Sequence, residues 1–363
     1  MQSLIRAVLL VGICFVATFQ TVAQDMHFTN YAMTPSFLNP ALTGNFSGTM
    51  RAGLAFRTQH ELVATDANAT PFRTIGISAD APIIYGFKKT HWLGAGLSVM
   101  SDRVGIVTIK SDGNEASDPL TQSWNRFIPS VSYNIGLDKK FRQVVSIGVQ
   151  YGLTSASYGG TDAITPTSIL NGTTAGDPDI MALENNGGQN GMGVNGNYGS
   201  INVGVTYRSV VSKTAELELG AAVMHLQSPT FAVPMGQPAP VYRRINIHGR
   251  YRLQSSKQLV IEPALYATFQ GPQNNIQAQL RTEYKLKPKS DIALIAGLGY
   301  RLGDAPQFLT GARYKDWLIS LSYDHALTDA SDISPHKIEL GATKIFTVNK
   351  RPEVTPTLYC PRM

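Results

Sequence analysis

Cysteine is almost missing from this 363-residue chain, which has two, Cys14 and Cys360. The first lies in an N-terminal stretch that reads as a removable leader. One thiol then remains, so no intramolecular disulfide can hold the fold. Long apolar runs are missing as well. Residues 7–19 are apolar but broken by Gly12, short of the ~20 residues a membrane helix needs. No later stretch reaches that length. Charge is sparse, at 15% of residues, with a net charge of +6. The basic residues are scattered rather than striped among stacking aromatics, which excludes nucleic acid as a partner. No G-x-S-x-G, HExxH or paired-Cys metal motif occurs, so no catalytic or metal set and no cofactor is expected. Sustained 3.6-residue periodicity is missing too, which excludes a helical bundle.

What is present begins with the leader. Arg6 supplies its basic end, and Thr21-Val22-Ala23 is a small-residue cleavage site before Gln24. Lipidation of Cys14 is disfavoured because Ile13 before it is not small. Residues 1–23 are therefore expected to be a signal peptide for Sec-type export.

From residue 49 to 346 one unit repeats: about ten residues of two-residue alternation, then a turn. Val145, Ile147, Val149, Tyr151 and Leu153 interleave with Ser146, Gly148, Gln150, Gly152 and Thr154. Ile276, Ala278, Leu280 and Tyr284 interleave with Gln277, Gln279, Arg281 and Glu283. One face is apolar and the other is small, polar or charged. A soluble sandwich would bury the apolar face, but the ladder is too long for one sandwich. About fourteen strands can be marked, including ones starting near Phe127 and Ser200. That is an even number within the range of membrane barrels. The mean hydropathy of −0.06 fits a barrel whose strands alternate.

Loop lengths alternate as a barrel requires. Long connections are expected at residues 101–123, 155–199, 225–241 and 325–334. Tight ones are expected at 137–143, 210–213, 253–257, 285–291 and 315–316. Tyr207, Tyr251, Tyr284, Tyr314, Phe346 and Trp317 gather at one set of strand ends. Phe56, Tyr151, Phe269, Tyr300 and Tyr323 gather at the other, giving two interfacial girdles. The fold class is all-β: a transmembrane antiparallel β-barrel of about fourteen strands over residues 48–347. Residues 24–47 form a periplasmic or plug segment, and residues 348–363 a periplasmic tail. The tight turns carry Lys139, Lys140, Lys213, Lys257, Lys287, Lys289 and Lys315. The longest loop carries Asp162, Asp177, Asp179 and Glu184 and no basic residue. The basic turns serve solubility, or dock an acidic partner.

Alternation places Arg51, Arg57, Glu216, Glu218, Arg244, Arg250, Arg252, Glu262, Arg281, Glu283, Arg301, Arg313 and Glu339 in the lumen. Both signs are present, which predicts a paired network; a selectivity filter would favour one sign. Only His248 faces the lumen in mid-strand. His225 and His325 fall at outer strand ends, where they could approach each other.

The segment after the leader carries a resemblance. It reads Gln24-Asp25, Phe28 and Tyr31, then Leu38-Asn39-Pro40-Ala41 and Gly44, then Arg51 and Phe56-Arg57-Thr58-Gln59. This is similar to the opening of the PorP/SprF family of the type IX secretion system, and Cys360-Pro361-Arg362 looks like its ending. Met363 stands where an aromatic is common. The resemblance implies an outer-membrane barrel of Bacteroidota serving secretion or gliding. Its implied partners are type IX machinery in the periplasm or outer membrane, and in some members a large secreted surface protein. Pro35 and Pro40 stiffen the box. Leu38, Asn39, Pro40, Gly44, Arg51 and Arg57 are thus expected either to bind a partner or to plug the barrel. A general porin surrounded by outer-membrane lipid is the other reading of the sequence.

Overall fold

The computed structural model describes residues 28–31, 33–59, 68–69, 72–85, 90–104, 107–108, 121–159, 194–231, 239–327 and 336–347. The expected signal peptide at residues 1–23, the acidic stretch 160–193 with Asp162, Asp177, Asp179 and Glu184, and the tail 348–363 lie outside them.

Among the described residues fourteen antiparallel strands close into one barrel, each bonded to its sequence neighbours and the last to the first. They are β1 Met50–Gln59, β2 Phe72–Tyr85, β3 His91–Val104, β4 Thr121–Gly136 and β5 Gln143–Gly159. Next come β6 Val194–Ser212, β7 Ala215–Met224, β8 Arg244–Gln254, β9 Leu259–Gln270 and β10 Gln273–Lys285. The set ends with β11 Ile292–Arg301, β12 Ala305–Tyr314, β13 Trp317–His325 and β14 His336–Phe346. The seam pairs Met50 with Phe346 and Arg57 with Glu339.

The two-residue period sorts side chains between two environments. On β5, Ile147, Val149, Tyr151 and Leu153 point outward and are exposed. Ser146, Gly148, Gln150, Gly152 and Thr154 point inward and are buried. Around the wall Ile77, Val131, Val149 and Leu298 are 50–62% exposed. So broad an apolar belt needs lipid to cover it. At its lower rim the Lys344 ammonium sits 4.6 Å over the Trp317 ring and 4.8 Å over Phe346. There a long cation can reach water while its stem stays in the girdle.

Short turns gather at one end, here the turn end: residues 137–142, 213–214, 255–258, 286–291 and 315–316. The opposite, loop end has two tight turns as well, at Gly271 (φ 56°) and Gly303 (φ 71°).

Two strand starts differ from the sequence expectation. β4 begins at Thr121 rather than near Phe127, and β6 at Val194 rather than near Ser200. Ladder pairs Thr121–Gly159 and Tyr158–Val194 therefore run on into what read as loop. The reason is local. In the extension Tyr198 is buried on the inward face, beside Ala156, Trp124 and Val241. With an aromatic on the nominally polar face, the alternation disappears. These strands reach 16–19 residues. A membrane crossing needs only ~10, so β4–β6 project beyond it at the loop end.

Candidate functional site

The chain enters the barrel before it joins the wall, and residues 28–31 and 33–46 lie in the lumen. Pro35 opens a single helical turn, α1 (Pro35–Leu38). Asn39 then leaves the helix in extended conformation, φ −156° and ψ 124°, as the residue before a proline must. Pro40–Leu42 form one 3-10 turn, and the Asn39 side chain caps it by accepting from the Ala41 N–H at 2.9 Å. Gly44, at φ 61°, takes the left-handed conformation that a side chain would disfavour and turns the chain toward β1.

Three anchors hold this segment. Toward the loop end, the backbone N–H groups of Thr29 and Asn30 donate to the Glu339 carboxylate at 2.8–2.9 Å. The Thr29 hydroxyl donates to Asp324 at 2.6 Å. Arg301 donates to both Thr29 and Asp324, and to Asp304. Arg57 lies 3.7 Å from Glu339.

In the middle, the Asn39 amide lies 3.0 Å from the Val205 carbonyl, 3.2 Å from that of Ala221 and 3.2 Å from His248 Nε2. Asn246 donates to the Leu38 carbonyl at 2.9 Å. Two wall glycines make this approach possible. A Cβ on Gly148 would strike the Pro40 carbonyl group, and one on Gly204 would strike the Asn39 amide.

Toward the turn end, Gly44 N–H donates to Asp80 at 2.7 Å. Arg51 grips Asp80 through two nitrogens at 2.9 and 2.7 Å and donates to the Leu42 carbonyl at 2.9 Å. Trp92 donates to the Gly44 carbonyl at 3.0 Å. Each of these bonds contributes ~0.5–1.5 kcal/mol net, more where a charge takes part. Leu38, Asn39, Pro40, Gly44, Arg51 and Arg57 are all buried.

A second constellation lines β7–β12. Arg250 donates to Glu218 at 2.9 Å. Arg252 bridges Glu262 and Glu283 at 3.3 and 3.2 Å. Arg281 pairs with Glu262, Arg313 with Glu283 at 2.9 Å, and Glu216 with Arg208 at 3.6 Å. Both charge signs alternate around the ring, so opposite charges offset one another. Between it and the plug segment lies a cavity of about 30 Å³, reached by Tyr31, Leu38, Leu42, Glu218, Arg250 and Arg281. That is room for about two waters. Burial, and then the Glu262 carboxylate, push the Tyr31 phenol upward, so it stays neutral.

The sequence-predicted lumenal residues thus fall into separate groups. Glu216, Glu218, Arg250, Glu262, Arg281, Glu283 and Arg313 share the β7–β12 ring. Arg301 belongs instead to the loop-end anchor. Arg244 joins neither and lines a second cavity of about 30 Å³ with Arg126 and His225. Asp80 and Asp324, central to two anchors, were not singled out. Their inward position could have been read from Thr74, Gly76, Ser78 and from Ser320, Ser322. The expected approach of His225 to His325 does not occur. They stand at strand ends far apart around the barrel; His225 packs edge-on against Tyr198, and the His325 ring is tilted against that of His336.

Comparison with known proteins bears on fold and family. A family model described as "Type IX secretion system membrane protein PorP/SprF" matches residues 20–342. No individual curated protein matches. The solved toluene transporter TbuX of Ralstonia pickettii is similar in fold: TM-score 0.53 at 13% identity, covering 86% of this chain and 94% of that one. The Pseudomonas putida toluene transporter TodX gives a TM-score of 0.50 at 14% identity, covering 88% and 94%. At such identity the likeness is one of outer-membrane barrel architecture.

Proposed function

Because the chain belongs to the PorP/SprF family of type IX secretion system membrane proteins, we propose that it serves secretion as a closed outer-membrane barrel. It works through contacts with other proteins rather than by passing solutes. One observation carries this reading: residues 28–31 and 33–46 cross the lumen and are bonded to its wall at three heights. A porin needs an open path, and the three anchors argue against one.

In this reading residues 1–23 are removed on export and residues 24–47 are the plug. The box Leu38-Asn39-Pro40 is buried, so its work is to seal and brace the wall, not to meet a partner. Docking falls to the two rims. The turn end faces the periplasm, where Lys139, Lys140, Lys213, Lys257, Lys287, Lys289 and Lys315 suit an acidic face of the secretion machinery; the tail 348–363 joins them there. The projecting β4–β6 sheet and the acidic stretch 160–193 face outward, placed for a large secreted surface protein.

The test is planar-bilayer recording of the purified barrel, paired with crosslinked pull-down through a tag within residues 160–193, between β5 and β6. Silent bilayers and recovery of type IX components support the reading. Stable step currents, with the barrel recovered alone, would replace it with the porin.

A further inference from the structure

At the loop end of the β13–β14 pair three donor atoms converge on the outward face of the wall. His325 and His336 are directly opposite each other on β13 and β14. Their rings lie 5.3 Å apart, centroid to centroid. Tyr323, two residues before His325 and on the same face, turns its hydroxyl to both: 2.6 Å to His336 Nδ1 and 3.4 Å to His325 Nδ1. All three side chains are half-buried. Among the described residues no three His, Cys, Asp or Glu side chains are placed to hold a metal ion; here the third donor is a phenol.

The spacing is near that of a coordination sphere. Zinc binds imidazole nitrogen at ~2.0–2.1 Å in tetrahedral geometry, which sets neighbouring ligand atoms roughly 3.3 Å apart. The 3.4 Å separation already matches, and the 2.6 Å hydrogen bond opens by about 0.7 Å as an ion takes the place of its proton. Two neutral imidazoles and a phenol oxygen are ligands suited to zinc or copper, and they leave positions for water. The ladder fixes both histidine backbones, so much of the ordering cost of assembling ligands is met by the fold.

We propose that His325, His336 and Tyr323 form a surface site for a divalent late first-row transition metal, zinc or copper. The bound ion would clamp β13 to β14 where they leave the membrane. This lies outside the lumen and does not depend on the plugged-barrel reading.

The experiment uses full-length mature barrel in detergent, purified without a polyhistidine tag. Cu(II) is titrated by electron paramagnetic resonance, and Zn(II) by calorimetry. One ion per barrel with a two-nitrogen copper signature is expected. His336→Gln should weaken binding at least tenfold, and Tyr323→Phe by less. The thermal midpoint of the wild type should rise with Zn(II), and that of the His325→Gln/His336→Gln double variant should not. Heat-modifiable migration checks that each variant is folded. Equal binding by the wild type and a folded double variant, or no saturable binding by the wild type, would overturn the proposal.

Discussion

The two halves of the lumenal wall solve the same problem differently. The half built from β1–β6 presents mostly glycine, serine, threonine and asparagine, with Arg51–Asp80 as a buried pair that grips the plug; the half built from β7–β12 presents arginine and glutamate paired mainly with one another. Where the wall lacks side chains, the backbone of the plug comes up to the sheet itself. A Cβ on Gly53 would meet the Met33 carbonyl, and one on Gly94 the Thr43 carbonyl. Seryl and amide groups then bond to the plug: Ser36 to Ser98 at 2.7 Å, Asn45 to Ser146 at 2.9 Å, and Gln150 to the Ser36 carbonyl at 2.8 Å. The charged half spans its space with long side chains that satisfy one another. One wall is thus completed by the inserted segment, and the other largely by itself. Damage to the plug should be felt more in the first half than in the second, which the plug touches mainly through Asn39, Leu38 and Thr29.

The largest effect is expected from Asp80→Ala, which leaves Arg51 buried without its carboxylate. Removing one partner of a buried pair costs ~3–5 kcal/mol, read as a lower urea midpoint in folded-barrel electrophoresis. Next is Gly148→Val, which sets a side chain against the Pro40 carbonyl. Overpacking costs ~1–3 kcal/mol. The plug, not the wall, should yield, so ion conductance should appear while the barrel still migrates as folded. If conductance stays at zero in a folded variant, the plug does not depend on that glycine.

The charged half should tolerate more. Glu218→Leu together with Arg250→Met removes a pair at once and should leave stability within about 1 kcal/mol of wild type, since buried pairs often exchange for apolar residues at little cost. A double-mutant cycle measures this; a loss as large as that of Asp80→Ala would erase the distinction between the walls. The smallest effect concerns acid. In the β11–β12 turn, burial works to raise the Asp304 carboxyl, but Lys337 and Arg301 outweigh it and hold it below its ordinary range. A depressed carboxyl stabilises the fold above its unfolded value, ~3.9, and loses that contribution as pH falls through the lower folded value. The melting difference between wild type and Asp304→Asn should therefore hold down to ~pH 4 and vanish in stronger acid.

The barrel was legible because its two faces differ in kind, so a period of two survives in strands such as β5 and β10. It was lost where Tyr198 and Trp124 occupy the extensions of β4–β6, since aromatics can pack on either face. Lumenal placement of the charged residues followed from the same period. Their division into a ring and an anchor did not, because neighbours such as Arg57 and Glu339 meet only through closure of the seam. The stiffness of Pro35–Pro40 could be read directly. Its destination could not: the surface that receives it is made by Gly148 and Gly204, two ordinary-looking residues on separate strands.

The bond from Thr29 to Glu339 joins residues 310 apart in sequence, and Thr343 on the same last strand holds the Met33 carbonyl. An early stretch of the chain is therefore completed by a late one. Contacts this distant form slowly, after the entropy of a very long loop has been overcome. Seating of the plug and closure of β1 on β14 thus share their contacts, and the lumenal segment reaches its full set of partners only once the last hairpin is in place.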